Sequence, residues 1–86
     1  MSCTHTDQLP AEVAADATDR CPDCAAIGEQ QWVHLRQCLS CGHVACCDSS
    51  PHQHATTHHR VTGHPVVRSF EPGEDWRWCY VDSRLV

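Results

Sequence analysis

The stretch from Cys38 to His64 constrains this chain more than any other part, because it holds four cysteines and six histidines. A hydrophobic core does not need that density of thiol and imidazole groups, whereas zinc binds both kinds of side chain. A chain of 86 residues also rarely obtains more than about 3–5 kcal/mol from its core alone. The sequence therefore predicts one small domain, residues 1–86, that is stabilised by bound zinc.

The eight cysteines are an even number, which also fits a disulfide framework. The segment from Met1 to Thr18, however, lacks both the basic and the apolar region of a secretory signal. We therefore expect a cytoplasmic protein, in whose reducing surroundings cysteines bind metal instead of forming disulfides. No apolar run approaches the roughly 20 residues that span a membrane, so no membrane partner is expected.

The charge of the chain bears on its partners. All six basic side chains are arginine, and eleven carboxylates give a formal net charge of −5. Seven zinc-bound thiolates and three divalent ions would change this charge to about −6. A phosphate backbone would be repelled by such a surface, which argues against a nucleic-acid partner.

Two ligand pairs precede the central stretch. Cys21 and Cys24 form a C-x-x-C pair, which is either a zinc knuckle or a redox dithiol. The flanking residues supply neither the strand nor the long helix of a thioredoxin-like site, so we favour the zinc knuckle. Cys3 and His5 form a C-x-H pair that could bind metal or could be an incidental pair at the terminus.

Residue periodicity and turn residues predict the elements that carry these ligands. Large side chains alternate with a period of two over 30–36, which predicts a strand, and 43–46 predicts a second one. Ser50 as N-cap and Pro51 at the first position predict the start of a helix that ends at Gly63. Further strands over 65–70 and 76–81 are predicted to form a hairpin through the turn at 71–75.

Two zinc arrangements compete for the central ligands. Cys38-x2-Cys41-x12-His54-x3-His58 has the spacing of a single Cys2His2 finger whose helix would enter a DNA groove. That arrangement leaves four ligands unused and places no basic side chains for base contacts on the helix. A cross-braced arrangement uses every ligand in two closed sites, which have no open position for water and hence no chemistry. These sites are Cys21, Cys24, Cys46 and His54, and Cys38, Cys41, His58 and His64.

The order of these motifs resembles the UBP-type zinc finger (ZnF-UBP). The resemblance rests on Cys-x2-Cys, Trp-Val, Cys-x2-Cys-Gly, Cys, His-Ala-x-x-His and Thr-Gly-His-Pro, and it spans nearly the whole chain. The family occurs in ubiquitin-specific proteases, in a cytoplasmic histone deacetylase and in small stand-alone bacterial proteins. The resemblance implies an α+β fold, a twisted antiparallel sheet of about four to five short strands with one main helix and cross-braced zinc sites.

The resemblance also implies a third zinc site and a peptide pocket. The third site would join Cys3, His5, Cys79 and Asp82, with Asp82 at the position of a second late cysteine. Members that bind ubiquitin hold its C-terminus in an aromatic pocket, which Trp32, Trp78 and Tyr80 match, although Trp32 and Trp78 could equally pack in the core. Asp48 stands where those members have an arginine, and its charge would repel a carboxylate. A cationic or neutral peptide group is the better expected guest.

The sequence thus predicts a monomeric, non-catalytic zinc-binding module that binds a protein or peptide. Two alternatives are a nucleic-acid-binding finger and an enzyme that uses zinc or a thiol, for which no H-E-x-x-H or comparable motif is present. Cys47 is the one cysteine without an assigned ion, and it could be a buried apolar residue, a spare ligand or a reactive thiol. Three histidines are predicted to face solvent: His43, His52 and His59.

Overall fold

The computed structural model describes residues 5–6, 9–10, 13–16, 20–29 and 31–86. Its elements, in chain order, are α1 (Pro22–Ala26), β1 (Leu35–Cys38), β2 (Val44–Cys46), α2 (His54–Thr62), β3 (Val66–Ser69), β4 (Arg77–Cys79) and β5 (Arg84–Leu85). The five strands form one sheet in the order β2-β1-β3-β4-β5, and every neighbouring pair is antiparallel. This architecture confirms the predicted α+β fold. Within the described residues, no helix has the length and apolar character needed to cross a membrane.

The first strand begins later than the prediction of 30–36. It starts at Leu35, and described residues 31–34 belong to no strand. The reason lies in the partners of the backbone: the Val33 N–H donates to Ser50 Oγ at 2.8 Å, and the Leu35 N–H donates to Glu71 Oε1 at 3.0 Å. Side-chain oxygens, not a neighbouring strand, satisfy these groups, so a period of two in the sequence does not become a sheet ladder here.

The predicted helix start at Ser50 and Pro51 is wrong by several residues. Gln53 caps α2 in the left-handed conformation, with φ of 50°, and the helix begins at His54. Ser50 is buried and accepts the Val33 hydrogen bond, so its hydroxyl cannot cap a helix. Gly63 ends α2 as predicted, with φ of 75° and its N–H bonded to His59 O at 2.8 Å.

The hydrocarbon core is small. The largest fully buried apolar side chains among the described residues are Val44 and Val66, and six of the twelve buried apolar residues are cysteines. Such a core removes little apolar surface from water, so it contributes little free energy of folding. The buried sulfur atoms must therefore contribute to stability in another way.

Gly42 lies in the tight turn that follows the Cys38–Cys41 knuckle. Its φ is 86°, a conformation that favours glycine, and its N–H donates to Cys38 O at 2.8 Å. A Cβ atom at this position would lie 2.0 Å from the carbonyl oxygen of Ala14. The turn is thus built so that the segment 13–16 can lie directly against the knuckle.

Candidate metal centres and an adjoining pocket

The first cluster joins the start of α1, the end of β2 and the start of α2. Its donor atoms lie within 4.8 Å of one another and belong to Cys21, Cys24, Cys46 and His54. His54 Nδ1 lies 3.4, 3.2 and 3.5 Å from the three sulfur atoms, in that order. The three cysteines are fully buried and carry no disulfide.

Backbone N–H groups point at two of these sulfur atoms. The Cys24 N–H donates to Cys21 Sγ at 3.4 Å, and the His54 N–H donates to Cys46 Sγ at 3.1 Å. Burial, together with the neighbouring thiols of Cys21 and Cys46, raises the pKa of Cys24, whose sulfur accepts neither of these bonds. Burial also raises the pKa of Cys46. Three thiolates could therefore share this buried space only with a cation to balance their charge.

The second cluster lies on the other side of α2. It contains Cys38, Cys41, His58 and His64, whose donor atoms again lie within 4.8 Å of one another. Cys38 Sγ lies 3.4 Å from His64 Nδ1, Cys41 Sγ lies 3.4 Å from His58 Nε2, and the two ring nitrogens are 3.4 Å apart. Burial lowers the pKa of His58, which favours the neutral imidazole that binds metal.

The third cluster ties the start of the chain to its end. Cys79 Sγ lies 3.5 Å from His5 Nδ1, which lies 3.4 Å from Asp82 Oδ2. The Asp82 N–H donates to Cys79 Sγ at 3.5 Å, as the Cys24 N–H does to Cys21 Sγ in the first cluster. Cys3, the fourth member predicted for this site, lies outside the described residues.

The spacing of the donor atoms tests whether zinc fits. A tetrahedral ion with Zn–S of about 2.3 Å and Zn–N of about 2.0–2.1 Å requires S–S, S–N and N–N edges of about 3.8, 3.6 and 3.4 Å. The Cys24 and Cys46 sulfur atoms are 3.8 Å apart, the S–N distances are 3.2 to 3.5 Å, and the N–N distance is 3.4 Å. These separations are those of ligands around one zinc ion, and they are far too long for a disulfide.

The competing single-finger arrangement does not hold in the structure. It needed Cys38, Cys41, His54 and His58 around one ion, but His54 and His58 belong to different clusters. The four-residue spacing does place both rings on α2, and the ring of each turns toward the knuckle on its own side. The structure therefore has the cross-braced arrangement of ligands.

The prediction that His43 and His59 face solvent is wrong. His43 Nδ1 lies 2.5 Å from Asp16 Oδ2, and its Nε2 lies 2.7 Å from Asp23 Oδ2. Although burial alone would lower the pKa of His43, the two carboxylates raise it overall. His59 Nδ1 lies 2.8 Å from the His64 carbonyl oxygen, and its ring stacks on Tyr80. The His43 ring also lies 4.8 Å from the His58 ring, centre to centre, so both imidazoles contact members of the second cluster from outside. His52, by contrast, is exposed as predicted.

A pocket of about 380 Å³ lies beside these clusters on the sheet. Of the four residues predicted for a peptide pocket, three line it: Asp48, Trp78 and Tyr80. The fourth, Trp32, packs instead against the buried core around Val44. Trp76 supplies the additional aromatic wall. Cys47 also lines the pocket, and it is 5 % exposed and outside all three donor clusters.

Arg36 is a pocket residue that the sequence did not reveal. Its guanidinium lies 4.5 Å from the centre of the Trp76 ring, which is the distance of a cation–π contact. Arg36 lies in β1, two positions before Cys38. Strand pairing, and not local sequence, places it beside Trp76, which lies forty positions later in the chain. The pocket therefore contains an arginine, although Asp48 occupies the position at which the ubiquitin-binding members noted above carry theirs.

Fold and donor clusters together define a small α+β zinc-binding domain. A comparison with protein families matches residues 21–86 to the family described as "Zn-finger in ubiquitin-hydrolases and other protein", and the chain belongs to this family. This match confirms the UBP-type resemblance.

A solved structure is also similar. Protein RPA1320 from Rhodopseudomonas palustris, determined by solution NMR, is 47 % identical, with a TM-score of 0.86 over 99 % of this chain and 80 % of that one. A search among curated proteins returned no match.

Proposed function

We propose that this chain is a non-catalytic zinc-binding module that holds three zinc ions and binds a peptide group of a protein partner. The zinc ions would be held by the three donor clusters, with Cys3 completing the third. The observation that carries the proposal is the agreement of S–S, S–N and N–N separations with the edges of a zinc tetrahedron.

The proposed sites would be structural. Four protein ligands in the first and second clusters would saturate a tetrahedral ion, so no position would remain for a water molecule that zinc could activate. The family itself is one of non-catalytic zinc fingers. Zinc would instead supply the free energy of folding that the small core lacks, since a structural ion contributes about 10–16 kcal/mol in apparent binding.

The pocket beside the clusters would be the binding site. Its walls are the aromatic rings of Trp76, Trp78 and Tyr80, and aromatic walls with a few placed polar groups are typical of ligand sites. Tyr80 stacks on His59 with 4.7 Å between ring centres, a contact that would hold this part of the wall in place for a partner. Asp48 would disfavour the purely carboxylate guest that ubiquitin-binding members of the family accept.

The proposed partner is a peptide or protein and not a nucleic acid or a membrane. The chain carries eleven carboxylates against six arginines, which opposes binding to phosphate backbones and to anionic lipid surfaces. We expect the module to act as a cytoplasmic monomer.

Nuclear magnetic resonance of the zinc-loaded chain tests the peptide site. Peptides with basic, neutral and acidic C-terminal residues are titrated into the labelled protein, with intact ubiquitin as a separate arm. The proposal expects shifts centred on the Trp76, Trp78 and Tyr80 signals, weaker for ubiquitin than for a basic peptide. Shifts located elsewhere on the surface, or none in these three residues with any ligand, would contradict it.

An Asp48→Arg variant sharpens the same test. It restores the charge that ubiquitin-binding members carry at this position, so it should increase binding of the ubiquitin C-terminus relative to the original chain. Asp75→Arg, at an exposed position outside the pocket, serves as the control for the change in net charge. Equal gains from the two variants would show that Asp48 does not select the guest.

A further inference from the structure

The pocket contains one positive and one negative side chain that do not neutralise each other. Arg36 and Asp48 both line it, and neither forms an ion pair with any residue in the described ranges. Asp48 is exposed and Arg36 is half-buried, so water hydrates both groups while the pocket is empty. Two unpaired charges of opposite sign in one pocket indicate that each is available to a guest.

The Arg36 guanidinium is oriented by its surroundings. It stacks over the Trp76 ring at 4.5 Å, and its Nη1 donates to Leu35 O at 3.0 Å. These contacts use one face and one donor of a planar group that has five N–H donors. The remaining donors on its edge can hold a carboxylate in a bidentate contact.

The Asp48 carboxylate is oriented from the other side. The Thr56 hydroxyl donates to its Oδ1, and that hydroxyl lies 3.4 Å from the Tyr80 hydroxyl oxygen. Gln53 Nε2 donates to the Asp48 carbonyl oxygen at 3.1 Å, which holds the backbone. Oδ2 has no hydrogen-bond partner within the described part of the chain, so it can accept a bond from an ammonium group.

The size of the space limits which guest could use both charges. About 380 Å³ is near the lower end of the range of about 300–1,000 Å³ for ligand pockets, and it suits one or two residues. An internal peptide segment offers no backbone charges, whereas a free dipeptide offers an ammonium and a carboxylate roughly 7 Å apart. Its side chain would then contact the rings of Trp78 and Tyr80.

We propose that this pocket binds a zwitterionic guest of one or two residues, with the guest's carboxylate at Arg36 and its ammonium at Asp48. This inference rests on the proposed function, since it names the ligand chemistry of the same site. The inference goes beyond the proposed function because it requires that the guest carry both charges. A site for the end of a longer chain would require only one of them.

Four versions of one dipeptide test the proposal on the zinc-loaded full chain. Glycyl-leucine is titrated free, N-acetylated, C-amidated and with both caps, and the signals of Trp78 and Tyr80 are followed by nuclear magnetic resonance. The free dipeptide should bind most tightly, each single cap should weaken binding about tenfold, and the double cap should weaken it further. Equal affinity of all four, or loss with one cap only, would overturn the proposal.

Two variants assign each charge of the guest to its partner. In Asp48→Asn, which keeps the Oδ1 acceptor for Thr56, acetylation should no longer weaken binding, while amidation still should. In Arg36→Gln the pattern should be reversed. Arg60→Gln and Asp75→Asn, both exposed and outside the pocket, should leave the order of the four ligands unchanged. The assignment is wrong if acetylation still weakens binding to the Asp48→Asn variant, or if amidation still weakens binding to the Arg36→Gln variant.

The outcomes also separate this proposal from the broader one. Shifts of the pocket signals that are the same for the free and the doubly capped dipeptide would leave peptide binding standing and would exclude a zwitterion. Pocket signals that do not move with glycyl-leucine or with any of the longer peptides would exclude both.

Discussion

His54 and His58 lie one turn apart on α2, yet their ring nitrogens belong to two different donor clusters. His54 presents Nδ1 to three buried sulfur atoms, whereas His58 presents Nε2 to Cys41 Sγ and the ring nitrogen of His64. The helix is therefore the element that both clusters share. Each ring is expected to hold a different zinc ion.

This relationship predicts the effect of removing either ring. His54→Ala and His58→Ala should each lower the zinc content by one ion per chain, and the double variant should lower it by two. His52→Ala, an exposed ring two positions before His54, should retain all the zinc. Elemental analysis of the purified variants measures this, and loss of both ions from one single variant would contradict independent sites.

Cys46 and Cys47 are neighbours with different expected roles. Cys46 belongs to the first donor cluster, and Cys47 belongs to none and lies 3.7 Å from Ser50 Oγ. Cys46→Ala should remove one zinc ion and destabilise the chain strongly, while Cys47→Ala should keep all the zinc and lose about 1 kcal/mol of unfolding free energy. Zinc content and thermal unfolding of the pair check this. Equal zinc loss would mean that Cys47 is a ligand.

Gly42 and Gly73 form a matched pair for testing the N-terminal contact. Both have positive φ, of 86° and 81°, but an added Cβ would meet Ala14 O at 2.0 Å only at Gly42. Gly73→Ala should cost about 1–2 kcal/mol from backbone strain alone, and Gly42→Ala about 1–3 kcal/mol more because the segment 13–16 must move. Chemical unfolding measures both, and equal costs would show that the contact is unimportant.

The His43 imidazole joins two segments that are distant in sequence. Asp16 and Asp23 hold its two nitrogens, and Asp16 Oδ1 also accepts the Val44 N–H at 2.8 Å. A double-mutant cycle with Asp16→Asn and His43→Gln should give a coupling of about 0.5–1 kcal/mol, since Asp16 is partly exposed and the pair is screened by solvent. The same cycle with Asp75→Asn should give none.

Much of the fold and of the donor clusters can be predicted from local spacing. The pairs Cys21 with Cys24 and Cys38 with Cys41 are set by a spacing of three residues, and the position of His58 follows from the pitch of a helix. The remaining ligands of each cluster could be assigned because a zinc site needs four ligands. The cysteines and histidines present can be divided between such sites in only a few ways.

The features that were missed depend on contacts between distant segments. Arg36 reaches the pocket because it pairs with Ala45 of the neighbouring strand β2. Residues 47–49, which line the pocket, follow shortly after Ala45 in the chain. His43 lacks any local sign of its carboxylate partners, which come from α1 and from the segment 13–16. Ser50 is a residue type that commonly caps helices, and only its contact with the Val33 N–H shows that its oxygen is used elsewhere.

Native mass spectrometry of the full chain tests the central claim, that closed zinc sites and not disulfides or a core hold the fold. The account predicts a dominant species with three zinc ions and all cysteines reduced, which converts to an unfolded charge distribution when a chelator removes the metal. A folded chain that is free of zinc, or one whose mass shows disulfide bonds, would contradict it.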